Sequence, residues 1–216
     1  MGKSLYSLIL SDEVVARIDA LAQKEGSNRS ALVNNILAEN VCYITPDQHI
    51  QNVLDLVGDY FSKGFEVLVG NKARTISLKS ALALKYRPAI TYDVELYKTS
   101  KGRLGELKIN CRTGSEFIIN RLYEFITKWV SMEEKYIITL FPNKVVEYYL
   151  DGNKLKRIFC IVGSEKVNDE KISKNIVEYI KLLDKTMKAY LYGELESWVD
   201  VGKEYINYLN SDVIMI

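Results

Sequence analysis

Histidine is nearly absent from this sequence, and cysteine and proline are scarce. One histidine, three cysteines and three prolines occur among 216 residues. A single imidazole cannot build a multi-histidine metal site, and three cysteines without a paired spacing indicate neither a disulfide framework nor a zinc knuckle. The sequence also lacks a glycine-rich phosphate loop and a Gly-x-Ser-x-Gly motif. We therefore expect no catalytic residues, no metal site and no cofactor, and the sequence does not predict an enzyme.

Long apolar runs are missing as well. No stretch approaches the roughly 18 consecutive apolar residues of a membrane-spanning helix, and the N-terminus lacks the pattern of a secretory signal. Apolar residues nevertheless make up 48% of the chain and aromatic residues 11%, which is enough to bury a core. These features predict a soluble cytoplasmic protein of one or two domains, with no membrane partner.

Charge is unevenly distributed along the chain. Residues 1–45 carry a net charge of −1, whereas residues 63–112 carry +7. A basic stretch of this kind could follow a nucleic-acid backbone, with Tyr86, Tyr92 and Tyr97 available to stack on bases. The alternative is the solvated face of a lysine-rich domain. The basic residues considered are Lys72, Arg74, Lys79, Lys85, Arg87, Lys98, Lys101 and Arg103.

The first forty residues predict a strand, a helix, a tight turn and a second helix. Residues 4–10 form a short run with strand character, and Ser11 is placed to cap a helix that Gly26 ends. Asn28 is placed to cap the next helix. The apolar positions recur at helical spacing in both helices: Val14, Ile18, Leu21 and Ala22 in the first, and Leu32, Val33, Ile36 and Leu37 in the second.

The remainder of the chain predicts a mixed α+β domain with antiparallel hairpins and a helical C-terminus. Thr45, Pro46 and Gln48 make a capping-box signal for a helix that continues to Phe61, with His49 near its start. We then predict a strand at 65–69, a short helix at 78–85, strands at 90–98 and 104–112, a helix at 115–130, strands at 136–141, 144–150 and 155–162, and helices from Asn168 with a break near Gly193.

Residues 3–40 resemble the ribbon-helix-helix family of DNA-binding proteins. The resemblance rests on the string from Tyr6 to Glu13, on Leu21-Ala22, and on Gly26-Ser27-Asn28-Arg29-Ser30-Ala31-Leu32. It implies a fold in which two copies pair their strands into an antiparallel ribbon that enters the major groove of double-stranded DNA. The α+β chain would then consist of a ribbon-helix-helix domain at 1–44, for dimerisation and DNA binding, and a domain at 45–216 that senses a ligand, oligomerises or adds DNA contacts.

The alternation of a strand selects the side chains that would face the bases. With Tyr6, Leu8 and Leu10 directed to the core, Leu5, Ser7 and Ile9 point outward, with Lys3 at the end. Family members usually carry Arg, Lys, Thr, Asn or Gln at these positions, whereas Leu5 and Ile9 offer only apolar contact. The ribbon face is therefore either a base-reading surface or an apolar surface for a protein partner or for the second domain.

The start of the second predicted helix offers a site for a phosphate. Backbone N–H groups, the positive end of the helix dipole, the Arg29 guanidinium and the Ser30 hydroxyl converge there, beside the capping residue Asn28. In the family this corner holds a phosphate next to the groove. The alternative is ordinary capping by Asn28 with Arg29 in solvent.

Two functions follow from these residues. The first is a sequence-specific DNA-binding protein that regulates transcription, for example as a repressor. It would be a homodimer or a higher oligomer. The second keeps the ribbon-helix-helix fold as an assembly module that binds a protein partner, with little or no DNA binding.

Overall fold

The chain divides into two compact units, Met1–Gln48 and His49–Ile216. The computed structural model describes residues 5–61, 64–69, 74–84, 87–98, 102–140, 147–151, 154–161 and 168–211. Its secondary structure is that of an α+β protein, with six α-helices and one six-stranded antiparallel sheet in the described residues.

The first unit contains the helices α1 (Asp12–Lys24) and α2 (Arg29–Asn40). The Ser11 side chain accepts from the backbone N–H of Val14 and so caps α1, as the sequence predicts. Gly26 follows α1 with φ of +63°, a left-handed conformation in which a side chain would be strained, and the chain turns there into α2. The described part of this unit buries few apolar side chains, namely Ala22, Leu32 and Ala38.

The helix α3 (Pro46–Tyr60) begins with the predicted capping box. The Gln48 side chain accepts from the Thr45 N–H at 2.8 Å, while the Thr45 hydroxyl accepts from the Gln48 N–H at 3.3 Å. Two backbone donors that the helix itself leaves unpaired are thereby satisfied. The capping box therefore sets the start of the helix at which the second unit begins.

The sheet runs in the order β1-β2-β3-β4-β6-β5. Its strands are β1 (Glu66–Val69), β2 (Thr75–Ala81), β3 (Ala89–Leu96), β4 (Arg103–Arg112), β5 (Tyr148–Asp151) and β6 (Lys154–Cys160). Side chains on β3 alternate strictly between buried and half-buried, so one face of the sheet lies in the core. The opposite face carries ion pairs such as Lys79–Glu66 and Lys108–Glu95.

Three further helices complete the second unit: α4 (Glu116–Ile137), α5 (Asp169–Tyr192) and α6 (Trp198–Leu209). The Tyr92 hydroxyl on β3 donates to Asp184 on α5 at 2.9 Å, and the Trp129 indole on α4 donates to the Tyr179 hydroxyl on α5 at 3.3 Å. The buried sheet face is thus covered by α5, which in turn packs against α4. Asn168 caps α5 and Gly193 ends it, which agrees with the helix predicted from about residue 168 and with the break predicted near Gly193.

Two predictions for this unit are wrong. Residues 78–85 were expected to be helical, but residues up to Ala81 belong to β2, where Ile76, Leu78 and Ser80 are buried in alternation. Pairing with a strand on either side outweighs the weak helical pattern of a short segment. Residues 136–141 were expected to be a strand, but α4 continues to Ile137 and a 3-10 turn follows at Ile138–Leu140.

The predicted boundaries of two hairpins fall partly outside the described residues. The turn at 100–102 is described only at Gly102, and that at 151–153 only at Asp151. The strands on both sides of each turn form as expected, because β3 pairs with β4 and β5 with β6. The strand predicted at 144–150 is described from residue 147 onward and begins at Tyr148.

The predicted strand at residues 4–10 is not formed in the single chain. Residues 5–10 are in neither helix nor strand, and residue 4 lies outside the described part. A strand exists only where its backbone N–H and C=O groups meet a partner strand, and the described residues of this chain offer none here. The ribbon-helix-helix arrangement is accordingly not formed by one copy.

A buried ion pair lies between α4 and the sheet. The side chains of Glu133 and Arg157 are 0% and 1% exposed, and Arg157 Nη2 lies 2.9 Å from Glu133 Oε1. The Glu133 carboxylate also accepts from the hydroxyls of Tyr148, Tyr179 and Tyr205 at 2.6, 3.2 and 2.7 Å. Burial disfavours the charged guanidinium, but the Glu133 charge outweighs it, so the pKa of Arg157 is raised.

The attraction between Glu133 and Arg157 is mainly that of opposite charges. The guanidinium lies 4.6 Å from the centre of the Tyr179 ring. Its nitrogens make no well-aligned hydrogen bond with any of the described residues. One carboxylate therefore carries almost the whole compensation for a buried positive charge, and removing its charge leaves Arg157 uncompensated.

We expect Glu133→Gln to destabilise the protein by about 3–5 kcal/mol, because it leaves Arg157 charged and buried without a counter-ion. Urea unfolding monitored by circular dichroism measures the loss. Glu134→Gln, one residue along the same helix, serves as the control and should change stability little. Combining Glu133→Gln with Arg157→Met should restore most of the loss. If Glu133→Gln alone were as stable as the parent, Glu133 would not be the counter-ion on which buried Arg157 depends.

Candidate nucleic-acid interface in the N-terminal unit

The segment ahead of α1 exposes every side chain from Leu5 to Leu10. Leu5 and Ile9 are fully exposed, and Ser7 is exposed as well. At the even-numbered positions, which alternate with these, the exposed fraction of the side chain falls to 60% at Leu8 and 41% at Leu10. Leu5 and Ile9, two of the three described positions predicted to face outward, thus have the highest exposed fractions among the apolar side chains of the segment. Lys3, the fourth predicted position of this group, lies outside the described residues.

The N-terminal unit leaves an unusual amount of apolar surface in solvent. Twelve of the twenty-one large apolar side chains that are exposed in the described residues belong to the first 44 positions. Within the stripe predicted on α2, Leu32 is buried, whereas Ile36 and Leu37 are exposed. The exposed members of this apolar surface are Leu5, Tyr6, Leu8, Ile9, Leu10, Val14, Leu21, Ile36, Leu37, Val41, Tyr43 and Ile44.

The physical meaning of this surface follows from the size of the unit. Contiguous apolar patches of this kind on small soluble domains mark a contact with a partner. Two helices and one short segment are also too few to bury a stable core on their own. The single chain buries only a few members of the apolar stripes on α1 and α2, and this surface is therefore a candidate interface.

The start of α2 carries the three remaining predicted site residues. The Asn28 side chain accepts from the Ala31 N–H at 3.0 Å, which confirms Asn28 as the capping residue. Arg29 and Ser30 form the first turn of the helix, and both are exposed. The structure therefore brings Asn28, Arg29 and Ser30 together at one helix N-terminus.

Arg29 is engaged by a carboxylate that sequence reasoning missed. Its Nε donates to Asp19 Oδ1 at 2.6 Å, and its Nη2 donates to Asp19 Oδ2, which makes a two-point contact between α2 and α1. Through these hydrogen bonds the guanidinium holds the pKa of Asp19 below its ordinary value. The signal in the sequence was an acidic residue ten positions before the arginine, with the Gly26 turn between them.

The basic stretch of the second unit is described only in part, and two of its described cations are paired with carboxylates. Lys79 pairs with Glu66 on the open sheet face, and Arg103 pairs with Glu147. Tyr92 is fully buried, so it is not available to stack on a base. Lys72, Lys85, Tyr86 and Lys101 lie outside the described residues.

Comparison with protein-family models, with curated proteins and with solved structures finds no match to this chain.

His49 forms a polar contact at the start of the second unit. Its Nδ1 lies 2.9 Å from Asp169 Oδ1, and the Asn52 amide donates to the other oxygen of the same carboxylate at 3.2 Å. The imidazole is half-exposed and lies near the start of α3, as the sequence predicts. This contact joins the first turns of α3 and α5.

Clusters of three His, Cys, Asp or Glu side chains that would suit a metal ion do not occur in the described part of the chain. Over the same residues, no helix combines the length and the apolar character needed to cross a membrane.

Proposed function

We propose that this chain is a homodimeric DNA-binding protein that regulates transcription in the cytoplasm, with a ribbon-helix-helix module at its N-terminus. The observation that carries the proposal is the exposure of residues 5–10, which is highest at Leu5 and Ile9, in a segment that lies in neither helix nor strand directly ahead of two capped helices. The order of these parts, the Gly26 turn and the Asn28 cap agree with the family that residues 3–40 resemble.

Dimerisation follows from two unmet needs of the N-terminal unit. Residues 5–10 have backbone donors and acceptors that a second copy of the same segment satisfies in an antiparallel ribbon. The exposed apolar side chains of α1 and α2, such as Leu21 and Leu37, would be covered by the same partner. One twofold contact meets both needs.

DNA binding follows from the shape of that dimer. A two-stranded antiparallel ribbon fits the major groove, where Leu5, Ser7 and Ile9 of each copy would meet base edges and thymine methyl groups. The first turn of α2 would contact a phosphate through its backbone N–H groups and through Arg29 and Ser30.

A second function is favoured by the chemistry of the outward side chains. Leu5 and Ile9 are apolar, the first 45 residues carry a net charge of −1, and Arg29 is neutralised by Asp19. These features suit an assembly module whose ribbon binds an apolar surface of a protein partner. Both functions require the same dimer and differ in what the ribbon face meets.

We expect Leu8→Asp to convert the protein from a dimer to a monomer, because it places a charge in the core of the ribbon dimer. Sedimentation velocity measures the mass. Val199→Asp is the matched control, since Val199 is 69% exposed and Leu8 60% exposed in one copy. If both variants remained dimers, or if the parent were a monomer, dimerisation through residues 5–10 would be wrong.

Arg29→Ala should weaken binding to all duplexes by a similar factor and reduce the salt dependence, because Arg29 is placed at a phosphate. Ser7→Ala should instead change which sequence is preferred, since Ser7 is placed at a base edge. Selection from a random duplex library, followed by titration over a range of salt concentrations, measures both effects. An Arg29→Ala variant with unaltered affinity and salt slope would contradict the phosphate assignment.

The two functions predict different results for Ile9→Arg. On DNA, the added charge should raise affinity for any duplex, whereas the neutral variant Ile9→Gln should not. In a protein contact, the same charge would be buried without a partner, so the complex should be lost or the melting temperature lowered with no gain in DNA binding. Duplex titration and thermal melting of both variants therefore separate the regulator from the assembly module.

A further inference from the structure

Asp19 occupies the edge of Arg29 that is best suited to bind a phosphate. The Nε and Nη2 donors of a guanidinium lie parallel in one plane, and this pair of donors matches two oxygens of a carboxylate or of a phosphate equally well. In this chain both donors are taken by the two oxygens of Asp19. An incoming phosphate must displace the carboxylate or bind a less favourable edge beside a negative charge.

We propose that Asp19 restrains the DNA affinity of this protein by competing with the DNA backbone for Arg29. The inference rests on the proposed function and specifies how its phosphate contact is regulated. It makes the pair Asp19–Arg29 an intramolecular latch, which is closed in the protein alone and opened by a phosphate at the start of α2.

The exposure of the pair suits a contact that opens. The side chains of Arg29 and Asp19 are 55% and 46% exposed, so solvent and salt screen their attraction. Asn28 caps α2 through its own side chain, independently of Arg29. The helix start therefore keeps its geometry when the arginine changes partner, and only the guanidinium has to move.

The latch has a consequence for specificity. A phosphate replaces Asp19 only where the ribbon is already seated, because a weak non-specific encounter supplies little energy to exchange one partner for another. A closed latch thus lowers the affinity for all DNA and leaves the base contacts of the ribbon to decide where the protein stays. The opposite role is that Asp19 positions Arg29 for the phosphate, and it predicts the opposite sign in the experiment below.

The test is Asp19→Asn in the full chain, titrated by fluorescence anisotropy with a random-sequence duplex at several salt concentrations. We expect the affinity to rise roughly threefold to tenfold and the salt slope to steepen by about one ion, as for one added phosphate contact. Glu39→Gln is the matched control. It removes the same charge near the far end of α2, about 15 Å along the helix from Arg29. Its effect should be smaller.

A double variant and a fold check complete the design. When Asp19→Asn is added to Arg29→Ala, the gain should vanish, because no guanidinium is left to release. Thermal melting monitors folding, and Asp19→Ser provides a second substitution that removes the carboxylate.

The outcomes separate the two proposals. Equal gains from Asp19→Asn and Glu39→Gln, a gain that survives in Arg29→Ala, or a loss of affinity would overturn the latch while leaving DNA binding in place. Absence of binding by the parent and by every variant would overturn the proposed function and the latch together.

Discussion

The apolar side chains that the first 44 residues leave in solvent are the constraint on which the rest of this protein's organisation depends. Two helices of 13 and 12 residues and one short segment present more apolar surface than they bury among themselves. Hydrophobic burial is the main favourable contribution to folding, so such a unit is stable only when another surface covers it. In the proposed homodimer, a second copy would provide that surface and, at the same time, a strand partner for residues 5–10. Assembly and folding of this unit would then be coupled.

The second unit has no such need. One face of its sheet is covered by helices, and the other face carries charged side chains that pair across neighbouring strands, such as Lys108 with Glu95. Its core also contains the ion pair of Glu133 with Arg157, in which both side chains are buried. The unit is thus built as a self-sufficient body. The capping box of α3 lies where the chain passes from the dependent unit to the independent one.

The chemistry of the candidate interface divides between two places in the N-terminal unit. The outward side chains of residues 5–9 contribute apolar surface and one hydroxyl, while the charged groups lie at the start of α2 and on α1. Affinity for a polyanion would come from the helix corner, where Asp19 already compensates Arg29. Affinity for an apolar partner would come from Leu5 and Ile9. In the proposed dimer, modest changes in a few side chains would decide between these partners without altering the dimer contact itself.

Local signals in the sequence determined the helix starts and ends of this protein. Ser11, Asn28, Thr45 with Gln48, and Asn168 cap helices where the sequence predicts them, because a cap is formed by residues two or three positions apart. The same locality accounts for the three candidate residues that meet at the start of α2. Tertiary structure decided what depends on distant neighbours. Residues 75–81 became a strand because strands lie on both sides of them, whereas residues 5–10 form no strand because none of the described residues of the same chain pairs with them. Asp19 reached Arg29 through the packing of α1 against α2, and Glu133 reached Arg157 through the packing of α4 against the sheet.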